Sequence, residues 1–107
     1  MRTMRIKQRF FDLIKSGRKP LEVRVGYDAI NRIRSGERIS LVTHTSSLVV
    51  RVDAIRRYDN FEAMLAKEPF QKIAPDVSSQ AELLALLRNI YPTHKERLGV
   101  VVLELGK

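Results

Sequence analysis

Gly17-Arg18-Lys19-Pro20-Leu21-Glu22-Val23-Arg24 packs a helix stop, a stiffened turn and the start of a strand into one short stretch. Glycine reaches the left-handed backbone conformation that ends a helix, and proline fixes the direction in which the chain leaves. Leu21 to Val25 then alternates apolar and charged residues, the pattern of a half-buried strand, which throws Glu22 and Arg24 to one side. Lys19 stands close by in the preceding loop. A lysine, a carboxylate and an arginine sharing one face can hold a phosphate or a carbonyl oxygen while the carboxylate accepts a proton or a hydrogen bond. The same spacing also fits an exposed ladder of ion pairs, so the pattern alone leaves both readings open.

Upstream, Arg2 to Lys7 alternates Met4 and Ile6 with charges and reads as a first strand. From Arg9 to Ser16, Phe10/Phe11 and Leu13/Ile14 recur at helical spacing up to the stop at Gly17. Downstream, Ile30 and Ile33 mark a short helix closed by Ser35-Gly36. Arg38–Thr43 and Leu48–Ile55 are rich in β-branched residues and flank the polar turn His44-Thr45-Ser46-Ser47. Asn60 is placed to cap a helix bearing Phe61, Met64 and Leu65 that ends before Pro69. Ser79 and Glu82 form a capping box for the clearest helix, with Leu83, Leu86, Leu87 and Ile90 on its core face. Gly99 to Leu105 is a nearly continuous apolar run, as expected of a strand buried on both faces. About five strands and three or four helices in mixed order, with few hairpin connections, predict a small α+β barrel.

The chain has 107 residues, of which 44% are hydrophobic and 30% charged, the balance of an ordinary folded domain. Such a length buries roughly two-thirds of the unfolded surface, so one domain over 1–107 with a single core is expected. The absence of cysteine removes disulfides, zinc fingers, iron–sulfur clusters and thiol nucleophiles. No apolar run is long enough to span a membrane, and polar Lys7-Gln8-Arg9 stands where a signal peptide would have its apolar core. A cytoplasmic protein with no membrane contact is therefore expected. Twenty Lys/Arg against twelve Asp/Glu give a net charge of +8. Residues 1–38 carry eleven basic and four acidic side chains, and eight of the eleven are arginine. A surplus concentrated in one third of the chain fits a polyanion partner, since arginine both forks onto phosphate and stacks on bases, and it equally fits a solvated basic surface.

The motif Gly17-x-Lys19-x-x-Glu22-x-Arg24 resembles the G-x-K-x-x-E-x-R signature of the ASCH domain, a PUA-like β-barrel family. Ser35-Gly36-Glu37-Arg38-Ile39 is similar to that family's turn into a strand, and Ile90-Tyr91-Pro92 followed by Gly99–Leu105 is similar to its closing helix and strand. The resemblance runs through the whole chain in order. It implies RNA binding in a basic cleft beside the motif, with Arg9, Arg18, Lys19 and Arg24 toward phosphate and Glu22 or Tyr91 toward a base. It also implies an alternative, because some members are ribonucleases and one branch of minimal proteins deacetylates N(4)-acetylcytidine. Lys19 falls on that branch's lysine and Asp76 near its acid, but Glu22 stands where the branch has a threonine nucleophile. Hydrolysis here would use Glu22 as general base, Lys19 to stabilise the oxyanion, and Asp76 beside them. Whether the chain is an enzyme stays open in the sequence, and the expected partner is RNA or a nucleoside.

The remaining residues imply less. Asp76, in Ala74-Pro75-Asp76-Val77, is equally a turn residue, and Tyr91 equally a packing residue at a helix end. His44 and His94 lie far apart with no acidic pair, so no metal is expected. No Gly-rich phosphate loop is present, and no cofactor is expected. Arg56-Arg57-Tyr58 reads as a loop that could extend the basic rim.

Overall fold

The computed structural model describes residues 1–107 and holds five strands and six helices. In chain order these are β1 (Arg2–Arg5), α1 (Gln8–Lys15), β2 (Leu21–Val25), α2 (Asp28–Asn31), β3 (Arg38–Val42) and β4 (Ser47–Tyr58). They continue as α3 (Phe61–Leu65), α4 (Phe70–Ile73), α5 (Gln80–Ile90), α6 (Thr93–Glu96) and β5 (Val100–Gly106). All strands form one sheet of order β1-β3-β4-β5-β2, antiparallel except for the β1/β3 pair. The sheet curls into the α+β half-barrel expected of a PUA-like fold. Its two edge strands are β1 and β2, and no backbone ladder joins them. Arg24 crosses the gap instead: its Nη2 donates to the Arg5 carbonyl at 2.9 Å. The barrel is thus left with an open seam spanned by a side chain.

Strand β5 explains the interior. Its residues alternate between two apolar layers, Val100 and Val102 on one side, Val101 and Leu103 on the other. The first layer packs the outer face of β2 and β5 against Phe61, Met64 and Leu65 of α3, Ile73 of α4, and Leu83 and Leu87 of α5. The second fills the barrel with Met4, Ile39, Leu41, Val50 and Val52, plugged by Phe11 and Ile14 of α1. The single core expected from chain length is therefore split by the sheet into clusters of 12 and 11 buried residues. One sheet covered on both faces makes two layers without needing a second domain.

Three local expectations are corrected. Arg56-Arg57-Tyr58 is no loop but the end of β4, which continues past a register shift between Val52 and Ala54. A bulge lets a long strand bend around a barrel corner, and the charged residues before it hide that continuity in sequence. Two short helices, α4 and α6, were not anticipated. Each follows a proline, Pro69 and Pro92, placed at its N-terminal boundary, and each is too short for periodicity to register.

Candidate functional site

Helix α1 ends in the hydrogen-bond pattern that reverses a chain. Gly17 N–H donates to Ile14 O and Arg18 N–H to Leu13 O, both at 3.0 Å, with Gly17 at φ 84°. This is a Schellman closure, and the left-handed residue it requires is the glycine of the motif. Lys19 N–H also reaches Leu13 O at 3.1 Å, so the loop is pinned to the helix end and Lys19 is turned inward.

Lys19 is only 3% exposed. Its ammonium donates to Leu21 O at 2.7 Å and Ile73 O at 2.6 Å and lies 3.1 Å from Glu22 Oε1, which uses all three of its donors. Glu22, 6% exposed, takes Arg24 on its other oxygen: Nε donates to Oε2 at 2.8 Å and Nη2 lies 2.7 Å away. Burial pushes the Glu22 carboxyl up, but the charges of Lys19 and Arg24 and their hydrogen bonds outweigh it and hold the group below 4.5. Glu22 is thus a carboxylate at neutral pH, gripped from two sides by cations.

The trio lines a cavity of about 200 Å³ at the seam between β1 and β2. Ile6, Phe10, Leu86 and Ile90 give it apolar walls, and Val23 and Tyr91 join Glu22 and Arg24 on its surface. Arg5 and Lys7, at the end of β1, complete a set of four cations against one carboxylate. Lys19 Nζ also sits 5.6 Å from the centre of the Phe10 ring. An engineered cavity of about 150 Å³ in another protein holds benzene, so this space suits one six-membered ring.

Tyr91 packs its ring 6.0 Å from that of Phe61, while its hydroxyl makes no hydrogen bond within the chain. Burial raises the Tyr91 phenol above its usual value; Arg24 opposes this and Glu22 adds to it, so the group stays a donor. Tyr91 therefore packs and lines the cavity at once.

The structure brings Lys19, Glu22, Arg24 and Tyr91 together but does not bring in Asp76. That carboxylate accepts from Arg9 Nε at 2.6 Å, and the bond holds Asp76 below its ordinary value. Arg9 lies over Phe10 at 5.2 Å, its side chain 49% exposed, outside the cavity. Arg18 is exposed on the loop beside it. Leu86 and Ile90, assigned to the core face of α5, wall the cavity, with Ile90 partly open to water. Arg5, Lys7, Phe10 and the Ile73 carbonyl were missed; only the basic end of β1 left a trace in the sequence. Arg56 is no part of the basic rim, since Glu68 and Glu104 hold it elsewhere. No cluster of three or more metal-ligating side chains forms, and no helix is long and apolar enough to cross a membrane.

Comparison with known proteins follows this geometry closely. The crystal structure of the hypothetical protein PH0355 superposes with a TM-score of 0.85 at 31% identity, covering 96% of this chain and 94% of that one. The solution structure of protein PF0455 from Pyrococcus furiosus superposes with a TM-score of 0.78 at 33% identity, covering 97% and 94%. No curated protein matches the chain. The sequence pattern of the ASCH domain matches residues 4–107, and the chain belongs to the ASCH domain family.

Proposed function

We infer that this ASCH protein binds single-stranded RNA, taking one base into the seam cavity while cations at its mouth meet the flanking phosphates. The observation that carries the reading is the composition of the cavity. Apolar walls sized for one ring stand beside Arg5, Lys7, Lys19 and Arg24, with Glu22 as the only acid. Single-stranded RNA offers that pairing of a free planar base and nearby phosphates, whereas a duplex keeps its bases stacked. Arg5, Lys7 and Arg18 are the phosphate contacts, together with Arg24 Nη1, which bonds nothing within the chain. Lys19 acts from within, holding Glu22 and the loop in place. Arg9, engaged with Asp76, contributes at the edge.

The hydrolase alternative finds less support. A general base works best with a pKa near the working pH, and Glu22 is held low by two cations. Asp76 does not reach the trio.

The test is fluorescence anisotropy with a labelled single-stranded RNA at rising salt. Four neutralised phosphates give a slope near −3 and an affinity loss of about 50-fold between about 50 and 200 mM salt. A flat salt response, or no binding, overturns the reading. Release of cytidine from N(4)-acetylcytidine at high salt, abolished by Lys19→Ala, would replace it with the hydrolase.

A further inference from the structure

Strand β2 is the end of the sheet and has only one paired edge. Leu105 N–H donates to Pro20 O at 2.8 Å and Gly26 N–H to Gly99 O at 2.9 Å. The register pairs Glu22 with Leu103 and Arg24 with Val101 between them. Antiparallel ladders alternate bonded and unbonded positions, so Glu22 and Arg24 bond β5 while Leu21, Val23 and Val25 turn their peptide groups to the open edge. Two of the carbonyls on that edge are satisfied inside the chain. Leu21 O accepts from Lys19 Nζ and Val25 O from Tyr27 N–H, at 2.7 and 2.9 Å. The N–H and C=O of Val23, between them, have no partner.

Val23 is 6% exposed and lines the seam cavity. Buried main-chain groups are almost always paired, so an unpaired donor and acceptor facing a cavity mark a place for a ligand. An added β-strand would need a longer free edge, and the occupied carbonyls on either side deny it. Leu21 N–H and Val25 N–H face the same edge, but only Val23 of the three lines the cavity, and its donor and acceptor match a small flat group carrying an acceptor next to a donor. Cytosine (N3 beside N4–H) and uracil (O4 beside N3–H) present that pattern on the edge used for base pairing, and single-stranded RNA leaves the edge free. Adenine (N1 beside N6–H) and guanine (O6 beside N1–H) carry the same pattern, so the edge marks a base rather than a ring size.

We propose that the backbone N–H and C=O of Val23 read the pairing edge of a base seated in the seam cavity, with the Tyr91 hydroxyl as an additional hydrogen-bond partner. This rests on the RNA-binding reading and names the groups by which the cavity holds the base. Backbone readout also explains why no side chain of the motif announces it.

The experiment uses the whole protein, labelled with nitrogen-15, and two oligonucleotides of equal length: oligouridine and its 3-methyluridine counterpart. Phosphate number is the same, but methylation at N3 removes the donor beside O4. Oligouridine is expected to move the Val23 amide proton downfield and slow its exchange with solvent. The methylated strand is expected to bind about tenfold more weakly, because a buried acceptor then goes unpaired. Equal affinity for both strands with an unmoved Val23 amide overturns the proposal and leaves RNA binding standing. Failure of every strand to bind overturns the RNA reading and this inference with it.

Discussion

Glu22 and Glu68 are both glutamates buried to 6% and 7% exposure, both held by an arginine carried on a strand, and both next to a groove. Glu22 faces two cations at a cavity that is mostly apolar and carries surplus positive charge. Glu68 takes Arg56 through both oxygens, at 2.6 and 3.0 Å, and accepts the Tyr58 hydroxyl as well. Arg56 in turn reaches Glu104 at 2.9 Å, so that cluster holds more carboxylate than arginine. Its groove, lined by Pro20, Lys72 and Glu104, has few apolar walls. The same ingredients yield a strut in one place and a candidate site in the other. The difference lies in leftover charge and in whether an apolar space adjoins it.

Removing each carboxylate sharpens that contrast most. Glu22→Gln strips the charge from between two cations in a dry setting, and breaking a buried pair in this way costs about 3 kcal/mol or more, read from urea unfolding. The effect has a definite pH dependence. The folded Glu22 carboxyl lies below its ordinary 4.5, so its stabilisation is complete above that value and is lost as pH falls through the folded pKa. The stability gap between wild type and Glu22→Gln should therefore close in acid. A gap unchanged at low pH would show that the carboxylate's charge is not what stabilises the cluster.

Glu68→Gln is expected to cost less, about 1–2 kcal/mol, because the Arg56 side chain it abandons is 36% exposed and regains water. If the two variants lose equal stability, the distinction between the clusters fails. For RNA, Arg5→Ala or Lys7→Ala should flatten the salt dependence by about 0.7 in log–log slope each, while Lys72→Ala at the second groove leaves it unchanged. Anisotropy titrations decide between the two grooves. The smallest effect belongs to Arg9→Ala: its pair with Asp76 is exposed, and thermal unfolding should register less than about 1 kcal/mol.

Much of this arrangement was legible in the chain. Alternation in Leu21–Val25 placed Glu22 and Arg24 on one side, Gly17 marked the helix end, and the Ser79/Glu82 cap set the start of α5, where Glu82 N–H meets Ser79 Oγ at 3.1 Å. These are local effects, governed by bonds a few residues long. The pairing of Asp76 with Arg9, away from Lys19 and Glu22, was illegible, because a turn residue carries no mark of which distant arginine will meet it. The burial of Lys19 was illegible too. A lysine in a polar loop reads as exposed until Ile73, 54 residues on, supplies a carbonyl to receive it.

The sequence by itself determined the order of the five strands and the longer helices, the shared side of Glu22 and Arg24 and the basic character of the first third, since pleat, helix stop and charge are set by neighbouring residues. Tertiary structure alone decided that β1 and β2 would end the sheet face to face, that Arg24 would reach the Arg5 carbonyl, and that Val23 would keep its backbone N–H and C=O unpaired at the seam. Those outcomes depend on which edges the curled sheet leaves open, a property of strand order in space to which no local pattern of residues gives access.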